Sequence, residues 1–409
     1  MSERLTITAL GHEGDGIAEA ATGRVFVPFT LPGETILADV EGERGQLAEI
    51  LAPSAERVAP ACRHFGTCGG CAVQHMAPEA YHAWKRSLVV DAFAQRGIEA
   101  EVDPLVPLAP HTRRRAVFSV LKEGNDVTLG FNRRESHDIL AIEECPLLVP
   151  GIEKRLPMLA GLALRLAERG KRARMTVTAT DTGLDVAFEG GRKLGRSDFE
   201  SLGHGAEANA IARLTIAGRE IFASRLPELR GDKLVLYPAA GGFLQAAAPS
   251  EAALIDLVET AVGKSNPVAD LFSGIGTFTL RLARRAPVLA VEGDDELLKA
   301  LDRSMRFSTG IRTITMRKRD LFLNPMAPPE LKPFKAVVFD PPRAGAKAQA
   351  EMLAKSVVPT IVGVSCNPAT LARDARILID GGYRLTRVTP VDQFLWSSHV
   401  EAVAVFQKG

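Results

Sequence analysis

The strongest constraint lies in the second half of the chain. From about residue 243, short apolar runs alternate with helical patterns. A helical stretch, SEAALIDLVETAV, leads to an apolar run that ends at Asp270. The runs PVLAVE, RTITMRKRD, FKAVVFD, PTIVGVS, RLTRVTPV and EAVAVF follow, with helical patterns such as ELLKALDRSMRF and TLARDARILIDGG between most of them. Apolar runs without polar alternation are strands buried on both faces. Their alternation with helices predicts an α/β fold with a doubly wound sheet. Ligands of such a sheet bind beyond the carboxyl ends of its strands.

What stands at those ends is therefore informative. The first strand gives Asp270-Leu-Phe272-Ser-Gly274-Ile-Gly276-Thr277. The two glycines permit a tight turn and close approach of a ligand, but G-x-G alone is a weak motif. The second strand ends at Glu292, 22 residues after Asp270. A carboxylate there can accept hydrogen bonds from both ribose hydroxyls. The third strand ends at Asp320 and the fourth at Asp340. Any one of these acids alone reads as a solvated helix cap. Four at successive strand ends predict an acidic rim. Such a rim suits S-adenosylmethionine, with its sulfonium and amine, and repels the pyrophosphate of a dinucleotide.

The fifth strand delivers Val364-Ser365-Cys366-Asn367-Pro368. Pro368 fits the first turn of a helix, and a thiol near a helix N-terminus is expected to have a lowered pKa. A lone Cys is more often a small buried hydrophobe. The strand-mouth position favours a nucleophile. Asp340-Pro-Pro-Arg343 lies beside it. D-P-P resembles the loop of amino-methylating nucleobase enzymes, where an aromatic follows; Arg343 argues against a stacked exocyclic amine here. Ser398-His399-Val400-Glu401 opens the last strand. Spacing leaves Glu401 open as a surface acid or as a base facing the pocket.

The first half reads differently. Residues 1–53 hold LTITAL, GRVFVPF, ETILADV and GQLAEIL between Gly- and Pro-bearing turns, which predicts a small β-barrel. Residues 1–52 carry three Arg and nine Asp or Glu, so the barrel is acidic. Residues 54–242 form a predicted central α+β domain, and 243–409 the catalytic domain. Pro78 to Arg96 has helical spacing of Tyr81, Trp84, Leu88 and Phe93, and a further helix is expected near Gly151–Arg169. Between His111 and Arg174 there are 13 Lys or Arg and eight Asp or Glu, either a solvated face or an RNA-binding surface. The chain of 409 residues has a net charge of only +1, which excludes a protein basic along its whole length. No apolar run reaches membrane-spanning length, and MSERLTITAL lacks the core of a signal peptide. A cytoplasmic monomer with no membrane partner is expected.

Five cysteines are present: Cys62, Cys68, Cys71, Cys145 and Cys366. Three fall within ten residues, which points to ligation rather than to a secreted disulfide framework. Cys62, Cys68, Cys71 and Cys145 offer four thiolates. On spacing alone they suit zinc or a 4Fe–4S cluster equally.

The pyrimidine carbon 5 is a poor nucleophile. A thiolate added at carbon 6 converts it to an enolate that can attack a sulfonium methyl, and a base must then remove the carbon 5 proton. Cys366, Glu401 and the acidic pocket supply candidates for each part. With C-x5-C-x2-C, a distant Cys-Pro, DLFSGIGTFTL, DPPRAG, SCNPATLARD and SHVE, the chain resembles the RNA (uracil-5-)-methyltransferases over nearly its whole length. It is most similar to the branch with an iron–sulfur cluster and an N-terminal TRAM barrel, whose bacterial members act mostly on 23S ribosomal RNA.

The resemblance implies a class I S-adenosylmethionine methyltransferase fold for the C-terminal part. It makes Cys366 the nucleophile and Glu401 the proton acceptor. It implies cofactor contacts at Gln245, Phe272, Thr277, Glu292, Asp320 and Asp340, and substrate contacts at Phe243 and Arg343. It favours a 4Fe–4S cluster on Cys62, Cys68, Cys71 and Cys145. The C-x3-C-x2-C spacing of radical-type enzymes is absent, so a saturated, structural cluster is expected. The helix over 78–97 is expected to pack with the catalytic domain. Three positions depart from the pattern: Thr277 stands where Asn is frequent, Ser273 where Cys is, and Gly363 where an aromatic precedes V-S-C. Methylation of carbon 5 of a uridine in 23S ribosomal RNA is the leading expectation. Transfer RNA is the alternative target. A non-catalytic RNA-binding assembly factor is a second alternative, against which Cys366, Glu401 and the intact pocket motif count. Cytosine methylation is disfavoured because the D-P-P-R loop has no Cys.

Overall fold

The computed structural model describes residues 2–21 and 23–409. The first five strands, Ser2–Leu10, Gly16–Ala20, Gly23–Val27, Thr35–Glu41 and Arg44–Ala52, close into the predicted barrel. Alternate residues turn inward. Leu5, Ile7, Val25, Val27, Ile36 and Ala38 form its small core.

The central region is built on a seven-stranded sheet. Its spatial order is Arg219–Ala223, Ile211–Ile216, Gly183–Glu189, Arg172–Thr180, Arg115–Glu123, Asp126–Asn132 and Ile139–Ala141. Phe118, Val120, Met175, Val177, Val186 and Phe188 fill its covered face. The helix expected near Gly151–Arg169 forms as two pieces, Pro150–Glu153 and Leu156–Leu166. Pro157 explains the break: it lacks the N–H that would bond Glu153, and its ring crowds that carbonyl.

The C-terminal sheet has seven strands. In chain order they are Val268–Leu271, Val288–Glu292, Ile314–Lys318, Ala336–Phe339, Thr360–Ser365, Tyr383–Val391 and Glu401–Lys408. In space they run third, second, first, fourth, fifth, seventh, sixth. The first five are mutually parallel, and the seventh is antiparallel to both neighbours. The doubly wound arrangement explains the continuous apolar runs. Val337 and Ile361 face one core with Phe93 and Phe406, whereas Val338 and Val362 face another with Leu254 and Val258.

Gly363 has a physical counterpart across the ladder. It is paired with Phe339, and a Cβ at Gly363 would lie 2.8 Å from the Phe339 ring. The Phe339 ring fills the space that a side chain at 363 would take.

The helix Pro78–Ala94 starts at a proline and buries Tyr81, Trp84, Lys85, Val89 and Phe93. Val89 and Phe93 belong to the core of the C-terminal sheet. The following segment runs beside the sixth strand, with Asp103 N donating to Val388 O at 2.8 Å and Val106 N to Pro390 O at 2.9 Å. The chain thus enters the C-terminal layer before it builds the central sheet. No described helix is long and apolar enough to cross a membrane.

Candidate active site

The fifth and seventh strands meet at the carboxyl edge of the sheet. Ser365 pairs with Ala402 in the antiparallel ladder. The next residue on one strand is Cys366, and the preceding one on the other is Glu401. The register therefore sets Cys366 opposite Glu401. Cys366 is the single residue between the strand and the cap of the next helix. Asn367 caps that helix, its side chain accepting from Ala369 N at 3.1 Å, and Pro368 is the first helical residue, as expected.

Cys366 is half-buried, and its thiol pKa is pushed up to about 11. Burial is the largest cause, followed by the negative charges of Glu401 and Asp340; Arg343 acts in the opposite sense. This corrects the expectation of a thiol acidified by the helix N-terminus. Pro368 has no N–H, and the Asn367 side chain takes that of Ala369, so the first two helical residues offer the sulfur no free N–H.

Glu401 is buried. Its Oε1 accepts from Gln393 Nε2 at 2.8 Å, and its Oε2 has no partner among the described residues. Burial pushes its pKa up to about 7, with the Gln393 hydrogen bond opposing the shift. Glu401 is therefore no surface acid. Asp340 follows the fourth strand and accepts from Gln245 Nε2 at 3.3 Å. Desolvation and the nearby Glu401 and Asp270 carboxylates hold Asp340 well above the usual carboxylate range. Gln245 is buried, and its Oε1 is unpartnered. Two buried acceptors in one site, Gln245 Oε1 and Glu401 Oε2, thus have no partner among the described residues, and hydrogen-bond donors of a ligand would satisfy them.

The first three strand ends converge beside this site. Phe272 sits in the left-handed region at φ 60°, and its ring lies 5.3 Å from that of Phe322. Gly276 has φ 93°, and a Cβ there would lie 2.4 Å from Leu301. Only glycine fits this position before the short helix that Thr277 opens. Thr277 lines a cavity of about 210 Å³ with Arg114, Glu251 and Arg281. Glu292 Oε2 accepts from Gly274 N at 2.9 Å, and its Oε1 from Gly293 N at 2.7 Å and Asp294 N at 3.0 Å. Asp320 is exposed and caps its own turn, accepting from Phe322 N at 2.9 Å. The Asp320 backbone lies against Gly293, so the second and third loops touch.

One of the four expected rim acids is absent from the rim. Asp270 lies within its strand, fully buried, and accepts from Thr279 Oγ1 at 2.5 Å. It fastens the glycine loop from below.

Arg343 is exposed, and its guanidinium lies 3.2 Å from His399 Nδ1. Its carbonyl accepts from Asn367 Nδ2 at 3.1 Å, which ties the D-P-P-R loop to the helix after Cys366. Phe243 is 61 % exposed. Its loop is held by Arg115, whose Nε donates to Gly242 O at 2.9 Å. A cleft of about 690 Å³ runs from the central sheet to the 394–399 loop, lined by Arg113, Arg115, Arg133, Arg134, Phe394 and His399 among others. Its arginines belong to the locally basic stretch seen in the sequence. Nothing in the sequence signals Gln393 or Phe394, because D-Q-F-L carries no motif and only the pairing of the last two strands brings it to Glu401.

Cys62, Cys68, Cys71 and Cys145 line one small cavity. Burial raises all four thiol pKa values, and neighbouring thiols add to the rise at Cys68, Cys71 and Cys145. Among the described residues, no set of three His, Cys, Asp or Glu side chains is drawn close enough to hold a metal ion. The expected metal ligands are thus gathered around one space without converging on a point.

Comparison with known proteins bears on this site. Residues 305–408 match the tRNA (Uracil-5-)-methyltransferase family model. An uncharacterised RNA methyltransferase of Mesorhizobium japonicum is 48% identical over 408 residues, covering 100% of this chain and 98% of the relative. A 23S rRNA (uracil(1939)-C(5))-methyltransferase of Alkalilimnicola ehrlichii is 34% identical, covering 99% of this chain and 96% of the relative. The crystal structure of Pyrococcus abyssi tRNA (uracil-54, C5)-methyltransferase with S-adenosyl-L-homocysteine superposes with a TM-score of 0.76 at 22% identity, covering 99% of this chain and 100% of that one. It shares the fold. The chain belongs to the RNA (uracil-5-)-methyltransferase family and is an enzyme that acts on RNA.

Proposed function

We propose that this enzyme methylates carbon 5 of a specific uridine in 23S ribosomal RNA, with Cys366 as nucleophile and Glu401 as base. The observation that carries this reading is the register of the fifth and seventh strands, which sets the sulfur opposite a buried carboxylate with one free oxygen. The ribosomal target rests on the 34% identical relative that acts on 23S rRNA. Transfer RNA remains the competing target, on the strength of the family model and the shared fold.

The steps follow from the residues. The Cys366 thiol gives up its proton to solvent water as the uracil binds, which leaves Glu401 free to accept the later one. The thiolate adds to carbon 6 of the uracil, and the ring's electron pair moves towards carbon 5. S-adenosylmethionine, when bound, supplies the electrophilic methyl that carbon 5 takes up. Glu401 Oε2 then accepts the carbon 5 proton. The carbon–sulfur bond breaks, the double bond returns, and Cys366 is restored. Arg343 offsets negative charge at the sulfur, and exposed Phe243 offers a face for a base.

Gln245, Phe272, Thr277, Glu292, Asp320 and Asp340 are the proposed cofactor contacts. The acidic edge suits a sulfonium and an amine, and Gln245 Oε1 is a free acceptor for such a donor. The doubly wound sheet with its reversed seventh strand fits a class I methyltransferase. On this reading residues 243–409 form the catalytic domain with helix 78–97 packed onto it, and 1–53 and 54–242 form the barrel and the central domain.

The four clustered cysteines are proposed to hold a 4Fe–4S cluster. A cluster spreads its ligands over several irons, so the donors need not converge as they must around zinc. Bound there, it would serve as a structural brace, and no catalytic step passes through it. Anaerobically purified protein with visible absorbance and bound iron would support this, and zinc in its place would overturn it.

The function is tested by mapping uridine methylation in cellular RNA by mass spectrometry, with the gene deleted and then restored. One 23S site should lose its methyl on deletion and regain it with the wild-type gene, and Cys366→Ala should not restore it. Loss at a transfer RNA site instead would transfer the assignment. No change in either RNA would remove it.

A further inference from the structure

Gln393 is 2 % exposed and stands eight residues before Glu401, across the turn between the last two strands. Its two amide atoms are committed in opposite directions. Oε1 accepts from the backbone N–H of Ala246 at 3.1 Å. A backbone N–H only donates, so this contact fixes the orientation of the amide. Nε2 must therefore be the atom that meets Glu401 Oε1, at 2.8 Å. The carboxylate keeps its second oxygen, Oε2, without a partner among the described residues. Ala246 in turn follows Gln245, whose amide holds Asp340. An amide donor favours a carboxylate over its acid and stops rotation about the last side-chain bond.

We propose that Gln393 is a positioning residue for proton removal: it clamps one oxygen of Glu401 to the loop carrying Gln245 and so presents the other to carbon 5. This rests on the reading of Glu401 as the base. Gln393 does not touch substrate, and its effect passes through Glu401. The charged or titratable groups that bear on Glu401 and Cys366 are Asp340 and, at the sulfur, Arg343.

The test uses the full chain, RNA from cells lacking this gene, and S-adenosylmethionine with a tritiated methyl. The readout is the decay of labelled, denaturation-resistant protein–RNA adduct as a function of pH. In Gln393→Met, decay should slow by roughly tenfold or more, and its pH midpoint should rise, because the donor is lost. Gln393→Glu keeps an acceptor for Ala246 N. Its adduct should decay along a bell-shaped pH profile, fastest where the two carboxyls share one proton so that Glu401 is ionised while the introduced group donates, and slow again as that group ionises in turn. A merely structural role would lower stability or raise KM without moving these profiles. Wild-type decay profiles in both variants, with decay blocked in Glu401→Gln, would overturn the clamp alone. Normal decay in Glu401→Gln would overturn the base and the clamp together.

Discussion

Lys85 Nζ lies 3.2 Å from Asp392 Oδ1, and both side chains are completely buried. The ammonium also reaches the carbonyls of Phe394 and His399. Tyr81 donates to the other oxygen of Asp392 at 2.6 Å and accepts from Trp396 N at 2.8 Å. One helix from the first quarter of the chain thus holds the loop that leads from Gln393 to Glu401. Removing one partner of a buried pair strands the other charge. Lys85→Met should cost about 3–5 kcal/mol of stability, read as a lower urea midpoint, and KM for RNA should rise as the loop loosens. An unchanged midpoint would refute this role.

The reactivity of Cys366 should follow its charge environment. With its pKa pushed up to about 11, alkylation by iodoacetamide in the absence of RNA should be slow at pH 7 and rise roughly tenfold per pH unit towards the alkaline range. Glu401→Gln removes a negative neighbour and should speed alkylation at pH 8. Arg343→Ala should slow it.

Glu401→Gln should lower turnover by roughly 10²–10⁴-fold while RNA and cofactor still bind. The carbon 5 proton then has no acceptor, so the covalent adduct should build up. A shifted band on a denaturing gel checks this. For the wild type, Glu401 must be ionised to act, so adduct release should accelerate as pH rises through about 7.

Asp270 provides a pH signature of stability. Burial, with Glu292 adding to it, raises its pKa from 3.8 to about 7. The folded state therefore holds the proton more tightly than the unfolded chain. The stability this confers is present below the unfolded value and is lost as pH rises through about 7. Asp270→Asn keeps the shape and removes the charge. Its melting temperature should decline less than that of the wild type between pH 5 and pH 8, in about that range.

The barrel is fastened through a different acid. Asp15, with a side chain only 4% exposed, meets Arg134 at 2.6 Å and Arg44 at 2.7 Å. Arg134 also lies 5.1 Å from the Phe29 ring centroid. The Arg44 contact is largely exposed and contributes little, so Arg134 dominates. Asp15→Ala should weaken docking of the barrel by about 1.5–3 kcal/mol. Limited proteolysis should then cut sooner near residues 52–60, while the C-terminal sheet stays resistant.

Much of this architecture was legible in the sequence because local patterns dictated it. Apolar runs ending in Asp340, Ser365 and Glu292 marked the strand ends, and Pro368 marked the helix start. What stayed hidden depends on tertiary pairing. Nothing in D-Q-F-L signals that Gln393 meets Glu401, because the partners join only when the last two strands pair. Asp270 reads like Glu292 in sequence, yet it is level with Ala290, two residues deeper in the sheet than Glu292, which puts it under the loop instead of on the rim. The helix Arg196–Ala208 is not legible in the sequence because Gly203 and Gly205 weaken its pattern. The Cys366 pKa was misjudged because helix position is local, whereas the carboxylates of Glu401 and Asp340 arrive from other strands.

The account's central claim is the bond between Cys366 and the pyrimidine. The direct measurement is the mass of the proteolytic peptide recovered from the adduct that Glu401→Gln forms with RNA, after nuclease trimming. The account predicts a peptide containing Cys366 that carries a methylated uridine nucleotide. A nucleotide attached to any other residue, or a Cys366 peptide of unmodified mass in protein that still methylates RNA, would contradict it.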